Sequence, residues 1–158
     1  MIEPPRRIRP DDDVGAFSCG QPVLDRWLQQ RAVLAERDRT AVTYVVTDGR
    51  VVGYYCLSGH SVVRGSVGGG WFARNAPEAI PAVLLGRLAV DRTVQGRGLG
   101  ASLLAHAIIT AREASELVGL RALVVDPIDD DAVVFYERYG FHRFPSGTKR
   151  LFLPLRHG

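Results

Sequence analysis

"LLGRLAVDRTVQGRGLGA", residues 84–101, decides how the whole chain is read. Its first part, residues 84–90, is an apolar run short enough to be a buried strand. The connection "DRTVQ" then leads to three glycines at alternate positions, Gly96, Gly98 and Gly100. From Leu99 onward, Leu103, Leu104, Ala107, Ile108, Ala111 and Val118 keep helical spacing until Gly119 stops the pattern. Strand, glycine turn and helix in this order are the general recipe for an anion site. The first N–H groups of a helix lack acceptors, its dipole favours negative charge, and glycine lets a phosphate approach the backbone.

Upstream of this stretch, "RRIRP" (6–10) predicts a short first strand, followed by the acidic turn "DDD". Pro22 suits a first helical turn, and Leu24, Trp27, Leu28, Arg31, Leu34 and Ala35 make one mainly apolar stripe, which predicts a single helix. Residues 41–63, "AVTYVVTDGRVVGYYCLSGHSVV", read as two strands about an aspartate-glycine turn. Residues 64–83, rich in glycine and proline, read as a long loop, so that the next strand begins at Leu84. Downstream come a buried strand, "LRALVVD", an amphipathic helix, "DDDAVVFYERYG", and a closing strand, "TKRLFLPL". The order is β, α, β, β, loop, β, α, β, α, β, which predicts an α/β fold with a sheet of mixed direction. No repeat or internal linker divides it, so a single domain over residues 1–158 is expected.

Composition narrows the function classes. With 158 residues and 46 % hydrophobic content, the chain has the make-up of an ordinary soluble globule. No run reaches the ~18 to 20 apolar residues of a membrane span, and "MIEPPRRIRPDDD" has no apolar signal region. A cytoplasmic protein without membrane attachment is expected. Cys19 and Cys56 lack metal-ligand spacing, which predicts two reduced, packed thiols and no structural metal. The net charge is +3, and Lys149 is the single lysine. Arginine suits phosphate and nucleic acid, so the charge permits such a partner without demanding one.

Three kinds of glycine loop compete for residues 95–101. A nucleoside-triphosphate loop needs a lysine and then a serine or threonine after its last glycine, and here Ala101 and Ser102 follow instead. A dinucleotide fingerprint is met in form by Gly96, Gly98 and Ala101, and Asp126 ends the next strand. That fingerprint wants the strand to run straight into the first glycine, whereas "DRTVQ" intervenes, and too few α/β repeats remain for a dinucleotide sheet. In the third kind a Gln or Arg is followed, after two residues, by Gly, any residue, and Gly or Ala. Gln95, Gly98 and Gly100 fill those positions.

On that loop, and on the helical "FYERYGF" (135–141) after the following strand, the chain resembles the GCN5-related N-acetyltransferase (GNAT) family over essentially its whole length. "FSCGQPVLDRWL", "VVGYYCLS" and the strand "LLGRLAVD" further resemble the TacT-like toxin subgroup of that family. The resemblance implies the GNAT fold: a mixed, mostly antiparallel twisted sheet flanked by helices, with acetyl-CoA in the splay between central strands. It implies an N-acetyltransferase that modifies the α-amino group of aminoacyl-tRNA and so blocks translation. A homodimer and a ribbon-helix-helix antitoxin encoded alongside are implied in the same way.

Site residues follow by the same likeness. The pyrophosphate of acetyl-CoA would rest on the amides of Gln95, Gly96, Arg97, Gly98, Leu99, Gly100 and Ala101, and the backbone of Leu88, Ala89 and Val90 would meet the pantetheine arm and thioester. Whether the Arg97 side chain braces a phosphate or points to water stays open. Tyr136 matches the family's proton donor, since a phenol of pKa about 10 can protonate a departing thiolate. His60, His106, His142 and His157 are scattered, so no triad is readable. An α-amine near pKa ~8 is partly neutral at cellular pH and asks less of a base than a lysine would. Arg64, Arg74, Arg87 and Arg92 flank the strand and the long loop as candidate phosphate contacts for tRNA. Trp71 could stack on a base or pack in a dimer. Two other readings remain: acetylation of a protein amino terminus or a small amine, and a non-catalytic acetyl-CoA-binding module.

Overall fold

The computed structural model describes residues 1–66, 76–145 and 147–156. Among the described residues seven strands share one sheet: β1 (Arg6–Arg7), β2 (Val42–Thr47), β3 (Val51–Val63), β4 (Ala79–Val90), β5 (Ala122–Val125), β6 (His142–Arg143) and β7 (Leu151–Pro154). Their order is β1-β2-β3-β4-β5-β7-β6. β1 with β2, β2 with β3, β5 with β7 and β6 with β7 are antiparallel, and β4 with β5 is parallel. The helices are α1 (Pro22–Gln30), α2 (Ala32–Asp38), α3 (Leu99–Leu117) and α4 (Asp130–Arg138). This is the mixed, mostly antiparallel α/β sheet that the sequence predicts.

The chain forms two compact units, each discontinuous: Met1–Ser58 with Gly86–Ile108, and Gly59–Leu85 with Ile109–Gly158. The chain passes from one to the other inside β3, β4 and α3. In the first unit Ile8, Phe17, Leu28, Ala32, Val45, Val51, Tyr54 and Ala89 pack as one core. Tyr54 is fully buried there, stacked on Trp27 at 6.0 Å and edge-on to Phe17 at 5.6 Å, and its hydroxyl donates to the Leu24 carbonyl at 2.7 Å. That bond satisfies the one polar atom an apolar core would penalise. In the second unit Val62, Ala76, Ile80, Ala82, Ala122, Val124 and Phe144 form the core, with Leu84 and Phe152 against it.

Three sequence expectations need correction. The stripe from Leu24 to Ala35 is two helices rather than one, broken at Arg31, where φ is −122° and ψ −27°. The break turns α2 so that Ala32 is buried and Leu34 stands 39 % exposed. The strand read from Leu84 begins at Ala79 and runs through Pro81. Pro81 stands just ahead of the β4–β5 register, which starts at Ala82, and its carbonyl still accepts from the Arg121 amide at 2.8 Å. The two-residue β6, pairing His142 with Phe152, was not foreseen. The hairpin stands as read, with Gly49 at φ +77° in its turn.

Candidate active site

In the first unit, the end of β4 and the head of α3 frame the glycine loop. Asp91 follows β4 and is 2 % exposed. Its carboxylate accepts from the Ser18 amide (2.8 Å), the Thr93 amide (3.0 Å), the Thr93 hydroxyl (2.6 Å) and the Arg50 guanidinium (3.0 and 3.3 Å). Burial opposes its charge. The Arg50 and Thr93 side chains and the two amides outweigh that and hold the carboxyl well below the usual carboxylate range. Asp91 thereby fixes the 3-10 turn Arg92–Val94, from which the loop departs.

Gln95 comes next, exposed, with its side chain folded back along the loop. The amide nitrogen donates to the Val90 carbonyl at 2.8 Å and the Cys19 carbonyl at 3.0 Å, clamping the loop to the strand it leaves. Gly96 and Gly98 sit at φ +80° and +78°, a conformation that side chains rarely adopt, and a Cβ at either would meet nothing within 4 Å. The Gly98 carbonyl accepts from the Ser102 amide at 3.1 Å, which makes Gly98 the residue that caps α3. Leu99, Gly100 and Ala101 therefore supply the first amides of a helix of 19 residues, those with no acceptor one turn back. An exposed, cationic turn with open space above two left-handed glycines fits a pyrophosphate.

The remaining first-unit residues are placed as follows. Ala89 is 5 % exposed, Leu88 and Val90 are half-buried, and the Val90 carbonyl already serves Gln95. Arg97 is exposed. Arg87 lies over the Trp27 ring at 4.5 Å, so part of its role is to cover the core. Arg92 is exposed, beside Gly20. His106, half-buried on α3, is more than a plain helix residue: its Nδ1 meets the Tyr55 hydroxyl at 2.6 Å beside the stacked Tyr44. Both cysteines are free thiols. Burial and Asp25 push the Cys19 thiol up to about 11, so neither nucleophile nor ligand chemistry is prepared there.

In the second unit, α4 carries the candidate proton donor. Asp129 caps the helix, accepting from the Ala132 amide at 2.8 Å, and Asp130 and Asp131 stand in its first turn. Tyr136 is 8 % exposed, with Phe135 at 5.2 Å and Phe141 at 5.4 Å, both edge-on. Tyr139, by contrast, is 41 % exposed. Arg64 is exposed and donates to the Ala76 carbonyl at 3.1 Å. Arg74 and Trp71 lie outside the described residues. Among the described residues no group of three His, Cys, Asp or Glu could hold a metal, and no helix is long and apolar enough to cross a membrane.

Sequence reasoning passed over Asp91 as the last letter of an apolar strand and missed that Gln95 is a clamp. The signals were there: an acidic residue directly after a buried run has to be paired. It also missed that Arg150 joins two distant side chains, with two bonds to Asp126 at 2.6 and 2.8 Å and one to His60 at 2.9 Å.

Comparisons with known proteins agree with this fold. The model of the acetyltransferase (GNAT) domain matches residues 38–143, from the end of α2 through β6. A tRNA-acetylating toxin of Mycobacterium tuberculosis (strain ATCC 25618 / H37Rv) is 42 % identical, over 96 % of this chain and 92 % of its own. AtaT solved in complex with acetyl-methionyl-tRNAfMet superposes with a TM-score of 0.90 at 31 % identity, over 98 % of this chain and 95 % of that one. A tyrosine-to-phenylalanine mutant of AtaT, bound to the C-terminus of the antitoxin AtaR and acetyl-CoA, superposes at 0.82 with 30 % identity, over 98 % and 94 %. The chain belongs to the GNAT acetyltransferases as an N-acetyltransferase.

Proposed function

We propose that this enzyme transfers the acetyl group of acetyl-CoA to the α-amino group of aminoacyl-tRNA, and so arrests translation as the toxin of a toxin–antitoxin pair. The observation that carries the reading is the 42 % identity, sustained over 96 % of the chain, with a tRNA-acetylating toxin. The AtaT complex with acetyl-methionyl-tRNAfMet supports it from the side of structure.

Acetyl-CoA, when bound, supplies an acetyl group activated as a thioester. The amides from Gln95 to Ala101 hold its pyrophosphate at the positive end of α3, with Asp91 and Gln95 keeping that turn in place. Backbone groups of Leu88, Ala89 and Val90 orient the pantetheine arm and polarise the acetyl carbonyl. Tyr136 gives its phenolic proton to the departing thiolate. A tyrosine-to-phenylalanine mutant was the form of AtaT solved with acetyl-CoA, which suits a catalytic tyrosine in that relative. No strong base is needed for an α-amine near pKa about 8. Arg64, Arg87, Arg92 and Arg74 are the arginines assigned to tRNA phosphates. The chain works as one domain, since each unit is built from two separated stretches and β3, β4 and α3 run through both. A cytoplasmic homodimer neutralised by a ribbon-helix-helix antitoxin completes the proposal, in keeping with the AtaT–AtaR complex.

The test is direct. Purified protein, acetyl-CoA and a mixture of charged tRNAs should yield N-acetylated aminoacyl-tRNA, and a translating lysate should stop only when acetyl-CoA is supplied. Thiol release without acetylated aminoacyl-tRNA would overturn the substrate while leaving the transferase.

A further inference from the structure

The second unit holds a cavity of about 520 Å³ that the proposed chemistry leaves unused. Every residue lining it belongs to that unit. Its volume lies within the range of about 300–1,000 Å³ typical of small-molecule sites. The floor is apolar, from Val62 and Phe144, and three hydroxyl side chains, Ser61, Ser66 and Thr148, stand around it with Lys149 and the Asp126–Arg150 pair.

The charged groups divide the work. Arg150 is held by three contacts, its Nε and Nη2 on Asp126 and its Nη1 on the His60 ring, so the pair is internally neutral and serves as a wall. Lys149 is different. Its ammonium meets Asp130 at 3.1 Å, but the two side chains are 62 % and 89 % exposed. Such a pair is screened by water and worth little, so the ammonium exchanges readily to a better anion. A cation at the rim, hydroxyls that both donate and accept, and an apolar floor match the three parts of a nucleotide: phosphate, ribose and base face.

We infer that this cavity is a subsite for one unpaired nucleotide of the RNA acceptor, with Lys149 on its phosphate, the hydroxyls on its ribose and the Val62–Phe144 floor against its base. The inference rests on the aminoacyl-tRNA reading for the identity of the RNA. It adds to that reading the place where the single-stranded end is gripped.

The probe is a fluorescein-labelled RNA trinucleotide CCA, the sequence that ends tRNA acceptor strands, titrated by anisotropy at several salt concentrations. Lys149→Glu removes the phosphate contact, and Thr148→Trp fills the cavity from an exposed position. Each should raise the trinucleotide Kd by about tenfold or more. Lys149→Glu should also make the salt dependence shallower by about 0.7 in log–log slope, the share of one single-strand phosphate. Thermal stabilisation by acetyl-CoA should be unchanged in both, showing that fold and cofactor loop survive. Failure of the wild-type protein to bind the trinucleotide, or unchanged affinity in either variant, overturns the subsite. Acetylation of aminoacyl-tRNA by the wild-type protein is scored separately: activity with unaffected variants sinks the subsite alone. Variant-sensitive binding without any such activity upholds the subsite and sinks the substrate reading.

Discussion

Arg50, in the β2–β3 turn, places its guanidinium on the buried carboxylate of Asp91 at 3.0 and 3.3 Å, joining the hairpin to the start of the glycine loop across 41 residues of sequence. Removing the arginine leaves a charge buried without its partner, which costs about 3 kcal/mol or more. Arg50→Ala should therefore lower the urea midpoint strongly, and should weaken acetyl-CoA binding through the loop that Asp91 supports. A variant of wild-type stability would show that the amides and Thr93 suffice.

The same carboxylate sets a pH dependence. Its folded pKa is depressed, so it contributes stability that is complete above the unfolded value near ~3.9 and is lost as pH falls toward the folded value. Denaturation midpoints should lose the Asp91 contribution below about pH 4, and Asp91→Asn, though less stable at neutral pH, should show a flatter acid limb. Equal acid limbs in the two proteins would contradict the assignment.

Tyr136→Phe removes one hydroxyl from a ring held edge-on by Phe135 and Phe141. Fold and acetyl-CoA affinity should persist while kcat drops by about 100-fold or more, the range for a lost general acid. Steady-state kinetics at near-normal kcat would dismiss Tyr136 as the donor.

Gly98→Ala tests the loop itself. Open space surrounds the position, so the cost is the backbone at φ +78°, about 1–2 kcal/mol. Because Gly98 caps α3, acetyl-CoA affinity should fall severalfold while kcat at saturation changes little, as isothermal titration and kinetics would show.

Exposed Arg92 is the cleanest of the proposed tRNA contacts. Arg92→Ala should leave the KM for acetyl-CoA alone, raise that for aminoacyl-tRNA, and reduce its salt slope by about 0.7–0.9. An unchanged slope would mark it as a solvated side chain. Arg87→Ala is a poorer probe because it also uncovers Trp27.

Much of this was legible because the decisive signals are local. Helical spacing from Leu99, an aspartate-glycine turn at 48–49 and alternate glycines at 96–100 each depend on residues close in sequence. What escaped depends on partners far away. Arg31 breaks α1 from α2 without disturbing the four-residue step from Leu28 to Ala32, so periodicity could not register it. Pro81 looked like loop until the Arg121 amide found its carbonyl. Gln95 reads as a ligand in the motif, and only its distance to Val90 and Cys19 reveals a clamp. The nucleotide cavity is drawn from β3, the β5 end and the stretch before β7, which no spacing rule connects.

β7 lies between β5 and β6, yet follows both in the chain. An interior strand is thus synthesised after its two neighbours, and until it arrives they have a gap where its four residues belong. Arg150, one residue ahead of it, is likewise the last of the trio with His60 and Asp126 to emerge. The middle of the β5-β7-β6 edge is therefore closed by the strand that comes after both of its neighbours, and a variant unable to seat β7 would leave β5 and β6 without the pairing that joins them.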